Sequence, residues 1–189
     1  MQISSSPPPA LQALPRFTAP TLCWGAGKCV YLNAEGEFLE MSPAQAARIS
    51  SPSPVLVCHA PYTHAKLGHD HVQMMDILEL YAFVHPTRFC VPTPAGLAKA
   101  LYLEPPQDVM DYPLTLLDCV NTLLADLRDT PADKAKLLEI AAVMGLNGRG
   151  WPWTDLVFQA LGETYDPTRP IVSSRNALNV WSKLPEWAD

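Results

Sequence analysis

A short apolar run, residues 55–58 (VLVC), is the feature that most constrains the fold of this chain. Prolines bound the run on both sides, at Pro54 and Pro61. A strand that is apolar at every position is buried on both faces of its sheet, and other elements must then cover both faces. The run therefore predicts a central strand of a layered α/β domain.

The residues before this strand predict three more strands and a helix. Two strand-like runs, residues 29–32 and 37–41, flank the turn residues 33–36 (NAEG), which indicates a hairpin. A preceding strand is predicted around residues 21–24. Residues 42–45 (SPAQ) combine a hydroxyl cap, a proline at the first helical position and a glutamine three residues on, so a helix should begin there. This is the opening order of ribonuclease H-like folds.

The rest of the chain is predicted to be helical. An apolar stripe with the spacing of a core-facing helix comprises Leu116, Leu117, Val120, Leu123, Leu124 and Leu127. Thr130 and Pro131 are predicted to cap and open a second helix, which Gly145 would end in a left-handed conformation. A third helix is predicted over about 153–161, closed by Gly162. The predicted fold is thus α/β, with a small ribonuclease H-like mixed sheet, flanking helices and a C-terminal helical cluster.

Length and composition indicate one domain with loose ends. The chain has 189 residues, of which 48% are hydrophobic, enough for one substantial core and short for two. Residues 1–20 are rich in proline and serine and are predicted to form a flexible tail. No apolar run approaches the roughly 18 to 20 residues of a membrane span, and no signal peptide is evident. We therefore expect no membrane association and a cytoplasmic location.

Charge and cysteine content limit the partners. The formal charge of −6 disfavours autonomous binding of nucleic acid, because phosphate binding depends on clustered lysine and arginine, although it leaves room for a local basic patch. The five cysteines, at positions 23, 29, 58, 90 and 119, show no Cys-x-x-Cys spacing. This argues against a zinc ribbon, a redox motif or an iron–sulfur cluster. They are predicted to be buried, reduced thiols.

Four motifs follow one another in the middle of the chain: residues 59–61 (HAP), 76–84 (DILELYAFV), 88–94 (RFCVPTP) and 96–98 (GLA). This series resembles the N-terminal region of DinG-type ATP-dependent DNA helicases of the alphaproteobacterial kind, over about fifty residues. Residues 180–187 (VWSKLPEW) are similar to the join between that region and the helicase motor.

The same stretch resembles the middle of the proofreading, DnaQ-like exonucleases, whose two-metal mechanism depends on carboxylates. Here residues 23–25 (CWG) stand where those enzymes have an Asp-x-Glu pair, and a metal-binding aspartate falls on His64. Asp76 and Glu79 persist, but the equivalent aspartate of the nuclease is not a metal ligand. The resemblance implies a degenerate exonuclease domain over 21–175, with no catalytic residues, no metal and no cofactor.

Four histidines, His59, His64, His69 and His71, lie close together, with Asp70 between the last two. Imidazole and carboxylate groups bind zinc and manganese, so a metal site is one interpretation. Steps of five residues turn a helix by about 140°, however, so His59, His64 and His69 would not share a helix face. We instead predict a solvated loop after a helix, with His59 bonded to backbone at its strand end.

Two further motifs offer chemistry that the residues do not support. Residues 25–29 (GAGKC) fail the Walker pattern, which needs another glycine upstream and Ser or Thr after the lysine. Cys90 could act as a nucleophile with His85 or His59 as its base, but a thiol between two apolar residues is better interpreted as a small buried hydrophobe. ATP hydrolysis would therefore lie in a motor beyond Asp189.

Residues 147–153 interleave a cation, Arg149, with two large aromatic residues, Trp151 and Trp153. Such a segment can stack on bases or anchor a partner protein, so these three residues are the candidate interaction surface. The alternative, which we favour for the tryptophans, is that they fill the core.

Taken with the resemblance, these features predict a noncatalytic accessory domain of a DinG-type helicase, which guides single-stranded DNA or docks a partner. Its expected partners are the helicase motor in cis, reached through a linker at 176–189, and single-stranded DNA held weakly. The acidic charge favours docking over tight DNA binding. Two alternatives stay open: an active metal-dependent 3′–5′ exonuclease and a free-standing protein-interaction module.

Overall fold

A five-stranded mixed sheet forms the centre of the domain. The structure is a computed structural model, which describes residues 16–25, 27–69, 71–129 and 133–168. The strands are β1 (Thr21–Gly25), β2 (Lys28–Leu32), β3 (Phe38–Met41), β4 (Val55–Val57) and β5 (Met74–Asp76). They lie in the order β3-β2-β1-β4-β5, with antiparallel pairing from β1 to β3 and parallel pairing of β4 to β1 and of β5 to β4. The predicted α/β class with a ribonuclease H-like mixed sheet is confirmed.

Helices pack on both faces of the sheet. They are α1 (Pro43–Ala46), α2 (Ala60–Leu67), α3 (Ile77–Val84), α4 (Pro94–Ala100), α5 (Tyr112–Asp129), α6 (Lys134–Gly145) and α7 (Thr154–Ala160). Short 3-10 turns occupy Val109–Asp111 and Leu146–Gly148. Helix α5 packs against α3, α4 and α7, while α1 and α2 contact each other. The helices after β5 thus form the expected C-terminal cluster.

Strand β4 contributes to two separate apolar clusters, one on each face of the sheet. Leu56 packs into the cluster that contains α3, α4, α5 and α7. Val55 and Val57 pack into the other cluster, beside Ala46 of α1 and Leu67 of α2. All three residues of β4 are fully buried, and each such side chain contributes about 1.5–3 kcal/mol by leaving water. The prediction of a strand buried on both faces is confirmed.

The hairpin and the first helix also form as predicted. Strands β2 and β3 pair across the turn at 33–36, in which Gly36 has φ 86°. At the start of α1, Ser42 Oγ accepts the N–H of Gln45 at 3.3 Å, and Gln45 Oε1 accepts the N–H of Ser42 at 2.9 Å. This reciprocal capping box fixes the beginning of the helix.

Helix α5 carries the predicted apolar stripe into the core. The buried members of the stripe are Leu116, Leu117, Val120, Leu123 and Leu127. Leu124, the remaining member, is partly buried against the same cluster. Of the helices in the described residues, none combines the length and the apolar composition of a membrane-spanning segment.

The start of α6 differs from the prediction. Asp133 caps the helix, because its Oδ1 accepts the N–H of Lys136 at 3.1 Å, and the first helical residue is Lys134. The predicted cap, Thr130, and the predicted first residue, Pro131, lie outside the described residues. Aspartate is a preferred N-cap, and Asp133 provides the cap three residues after the predicted start.

Gly145 is not the left-handed stop that the sequence predicted. It is the last residue of α6, with φ −67°, and the left-handed residues are the next two, Leu146 (φ 43°) and Asn147 (φ 56°). The reason for glycine here is space. A Cβ on Gly145 would lie 2.8 Å from the Tyr165 hydroxyl oxygen and 2.9 Å from the Thr154 side chain.

The N-terminal boundary also needs correction. Residues 16–20 have no regular secondary structure, but they are attached to α5 and so do not belong to a flexible tail. Arg16 pairs with Asp118, and the Phe17 N–H donates to Asn121 Oδ1 at 2.8 Å. Residues 1–15, the predicted linker at 176–189 and the last residues of the predicted domain, 169–175, lie outside the described residues.

Candidate functional site

A cleft of about 320 Å³ opens at the carboxyl ends of β1 and β4. It is lined by residues 22–24 of β1, residues 58–59 after β4, Tyr62 and Thr63 of α2, and residues 92–94 before and at the start of α4. Ligands of open α/β sheets bind beyond the carboxyl ends of the strands, where neighbouring connections leave in different directions. The cleft also includes the strand residues at which the exonuclease resemblance would require carboxylates.

Two thiols stand side by side in this cleft. The pairing of β1 with β4 matches Leu22 to Val57, and one step further along both strands Cys23 lies beside Cys58. Burial raises the pKa of both thiols above the ordinary value, Cys58 raises that of Cys23 further, and Asp76 raises that of Cys58. Both are therefore protonated at neutral pH. A protonated thiol is a poor ligand for the hard cations that nucleases use.

His59 serves as the N-cap of α2. Its Nδ1 accepts the N–H of Tyr62 at 3.3 Å, and its carbonyl oxygen accepts the Thr63 hydroxyl at 2.9 Å. Because Nδ1 acts as an acceptor, the proton of the neutral ring is on Nε2. The predicted bonding of His59 to backbone at the end of its strand is confirmed.

Asp76 joins the beginnings of two helices. Its Oδ2 accepts the N–H of Ala60 in α2 at 2.8 Å, and its Oδ1 accepts the N–H of Leu78 in α3 at 2.9 Å. The residue is buried, and burial raises the pKa of its carboxyl group, although the two backbone N–H bonds and nearby His59 act in the opposite direction. Both carboxylate oxygens are thus occupied by the protein backbone. Asp76 therefore connects the beginnings of α2 and α3, and its carboxylate is not oriented toward a cation.

Trp24 adds an unsatisfied donor to the wall of the cleft. Its indole Nε1 is buried and finds no hydrogen-bond acceptor among the described residues. The ring packs partly against the apolar cluster that contains Val55 and Val57.

The histidines do not converge. His64 lies inside α2 rather than in a loop, with Nε2 3.5 Å from the Val72 carbonyl oxygen. His69 and His71 lie after α2 as predicted, their rings stacked at 5.3 Å, and His69 Nε2 is 2.8 Å from the Ala47 carbonyl oxygen. Asp70 is outside the described residues. Across the part of the chain that the structure describes, no three His, Cys, Asp or Glu side chains are placed to hold one metal ion.

The predicted interaction surface at residues 149–153 is divided by the fold. Trp153 is fully buried, and its indole N–H donates to the Asp76 carbonyl oxygen at 2.9 Å. Trp151 is 9% exposed, its ring packs at a tilt against that of Phe83 with the ring centres 4.9 Å apart, and its indole N–H donates to Glu79 Oε2 at 3.0 Å. Neither indole face is free to stack on a base, so the core alternative holds for both tryptophans. Of the three candidate residues, Arg149 alone is exposed.

Sequence reasoning missed two exposed aromatic residues, one before and one after α4. Phe89, in the loop between α3 and α4, and Tyr102, just after α4, are each 86% exposed, more than any other large apolar side chain in the described residues. The sequence signal for Phe89 is its position directly after Arg88, in the motif at residues 88–94 that also carries the family resemblance. No sequence signal marks Tyr102 as exposed.

Comparisons of the chain with known protein families, curated proteins and solved structures find no match. The resemblance to DinG-type helicases and to DnaQ-like exonucleases therefore stays a prediction from the sequence. The chemistry of the cleft and of the surface around it is the basis for any assignment of function.

Proposed function

We propose that this chain is a noncatalytic accessory domain of a DinG-type ATP-dependent DNA helicase, acting in the cytoplasm to guide single-stranded DNA or to dock a partner. The ribonuclease H-like sheet supports a derivation from a proofreading exonuclease scaffold. The five cysteines are free, which fits a reducing compartment.

The observation that carries the proposal is the chemistry at the carboxyl ends of β1 and β4. Two-metal phosphodiester hydrolysis needs converging oxygen ligands for Mg²⁺ or Mn²⁺. Here the strand ends present thiols, an indole and an imidazole, from residues 23, 24, 58 and 59. The nearby carboxylate of Asp76 is already bonded to two backbone N–H groups.

The absence of catalysis can be tested directly. The purified chain is incubated with end-labelled single-stranded DNA and either Mg²⁺ or Mn²⁺, and the products are resolved by length. We expect no shortening beyond that seen without protein. Cleavage that depends on the metal and is abolished by His64→Ala would instead support the active exonuclease, because the resemblance aligns His64 with a metal-binding aspartate of those enzymes.

The accessory role needs a second measurement. We expect the chain to co-elute with a DinG-type motor, or to change the rate at which that motor unwinds a tailed duplex, when the two are mixed. A motor that neither binds the chain nor changes its unwinding rate would contradict the accessory role and favour a free-standing interaction module.

A further inference from the structure

We propose that the loop before α4 and the end of α4 bind single-stranded nucleic acid, with Phe89 and Tyr102 stacking on bases and Arg88 and Lys99 facing the phosphates. This inference deepens the DNA-guiding part of the proposed function and rests on it only for the biological role. Arg88, Phe89, Lys99 and Tyr102 together form the binding surface, named here the aromatic surface.

The exposed rings of Phe89 and Tyr102 do not stabilise the fold. Each ring is 86% exposed, so neither contributes appreciably to the core. Val91, on the same loop, is also exposed, at 52%. Aromatic rings that project into water beside cations are the elements with which proteins bind unpaired bases.

The backbone at Tyr102 adds an independent observation. Tyr102 follows the end of α4 with φ 58°, and the Leu103 N–H donates to the Ala98 carbonyl oxygen at 2.8 Å, as in a Schellman motif. Glycine is the usual residue at this left-handed position, because a Cβ there is crowded. A tyrosine at such a position, without packing to offset the strain, indicates a role for its ring outside the fold.

The loop that carries Phe89 is held firmly. The Arg88 N–H donates to the His85 carbonyl oxygen at 3.1 Å, and the Thr93 N–H donates to the Val91 carbonyl oxygen at 2.7 Å. A Cβ on Gly96 would lie 2.3 Å from that same Val91 oxygen, so α4 packs directly on the loop. A rigid loop loses little conformational entropy on binding, which favours stacking by Phe89.

The loop and α4 are joined directly. The Gly96 N–H donates to Thr93 Oγ1 at 3.0 Å, and the Leu97 N–H donates to the Thr93 carbonyl oxygen at 2.9 Å. Arg88 and Phe89 lie in the loop before α4, and Lys99 and Tyr102 lie at the other end of that helix.

The charges of this surface suit a polyanion. Arg88 and Lys99 are exposed, and neither forms an ion pair with another described residue. Four other cations on the described surface are paired with carboxylates: Arg16, Lys28, Arg128 and Lys134. Arg88 and Lys99 are not neutralised in this way, and they lie in the same segment as the two most exposed aromatic rings.

The surface continues across the cleft to a third aromatic residue. Tyr62 is 49% exposed and lines the cleft together with residues 92–94. Lys66 Nζ lies 5.4 Å from the centre of the Tyr62 ring. The same pairing of an aromatic ring with a cation thus recurs on α2. A strand that crosses the cleft would meet stacking platforms on both sides.

The test uses the full chain and fluorescein-labelled oligothymidylate, with anisotropy as the readout at low salt. We expect Phe89→Ala to weaken binding about 5- to 150-fold, the effect of losing one stacked base. Tyr102→Gly should weaken binding similarly while raising the melting temperature, so that misfolding cannot explain the loss. Phe38→Ala on β3 and Arg48→Gln after α1 are matched controls and should bind as wild type.

Charge is tested by the salt dependence. With two phosphate contacts, log Kd should change with log salt with a slope of magnitude about 1.4, and Arg88→Gln or Lys99→Gln should each reduce it by about 0.7. A wild-type chain that does not bind oligothymidylate, or a Phe89→Ala/Tyr102→Gly variant that binds as wild type, overturns the proposal. Duplex DNA or polyglutamate that binds as tightly as oligothymidylate overturns it too, because neither offers bases to stack.

The two proposals fail separately. If oligothymidylate does not bind but the motor co-elutes, the aromatic surface is refuted and the accessory role stands. If oligothymidylate binds through Phe89 and Tyr102 but no motor responds, the accessory role is refuted and the aromatic surface stands.

Discussion

The indole N–H of Trp153 donates to the carbonyl oxygen of Asp76 at 2.9 Å, across 77 residues of sequence. Asp76 ends β5 and caps α3, so this bond ties the C-terminal helical cluster to the strand end that also supports α2. The sequence alone led to a different interpretation of each residue: Asp76 as a remnant of a nuclease motif, and Trp153 as a candidate surface residue or, alternatively, a core residue. In the fold both are structural.

Replacing Trp153 with phenylalanine should therefore be costly. The Trp153→Phe variant removes the bond to Asp76 and opens a small cavity in the core. We expect a loss of about 2–4 kcal/mol in the free energy of unfolding, measured by urea denaturation. Trp151→Phe is the control, and its loss should be smaller because Glu79, its bonding partner, is exposed. Equal losses would show that the Trp153–Asp76 bond contributes no more to stability than the Trp151–Glu79 bond.

Asp76→Asn should destabilise the domain at pH 7 by about 1–3 kcal/mol, because the amide cannot accept from both Ala60 and Leu78. Burial raises the pKa of Asp76 above 3.8, so the folded state binds this proton more tightly than the unfolded state. The associated stability is present at acidic pH and is lost as pH rises through the raised pKa. The free energy of unfolding of the wild type should thus exceed that of the variant by more at pH 4 than at pH 7. The control variant Asp155→Asn, at an exposed position, should show no such pH dependence. A stability difference between wild type and Asp76→Asn that does not change with pH would contradict the prediction.

Tyr102→Gly should stabilise the protein. Glycine relieves the left-handed strain at φ 58°, and removal of a side chain that is 86% exposed forfeits little packing. The expected gain is about 1 kcal/mol in the free energy of unfolding, visible as a higher melting temperature. Tyr102→Ala retains the Cβ and should show no such gain. A loss of stability in Tyr102→Gly would mean that the ring packs on the fold.

The thiols of the cleft should be slow to react. Burial, with a contribution from Asp76, raises the pKa of Cys58, so its thiolate fraction at pH 8 is below that of free cysteine. Ellman's reagent should modify Cys58 more slowly than free cysteine, with a rate that still rises above pH 9. Cys29 and Cys119, whose pKa burial raises to about 12, should react only on unfolding. Rapid modification of Cys58 at pH 7 would contradict this assignment.

Local structure could be predicted where one interaction between near neighbours decides it. Three such features are the apolar run of β4, the capping box of Ser42 and Gln45, and the apolar stripe along α5. Each depends on residues close in sequence, and the apolar spacing of the run and of the stripe directly predicts which side chains are buried. The α/β class followed from their order. The start of α6 was predicted three residues too early, because Thr130 also carries a capping hydroxyl and Pro131 is a favoured first helical residue.

Only tertiary structure decided which side chains meet and which face water. The local sequence around a tryptophan can be the same whether its ring stacks on a base or fills a core. The burial of Trp151 and Trp153 therefore depended on where α7 packs. The partners of Asp76 come from residues 60, 78 and 153, which only folding brings together. The sequence by itself determined most of the elements and the absence of Asp and Glu where β1 and β4 end. The positions of Asp76 and Tyr102 depend on contacts between distant segments, which no local pattern encodes.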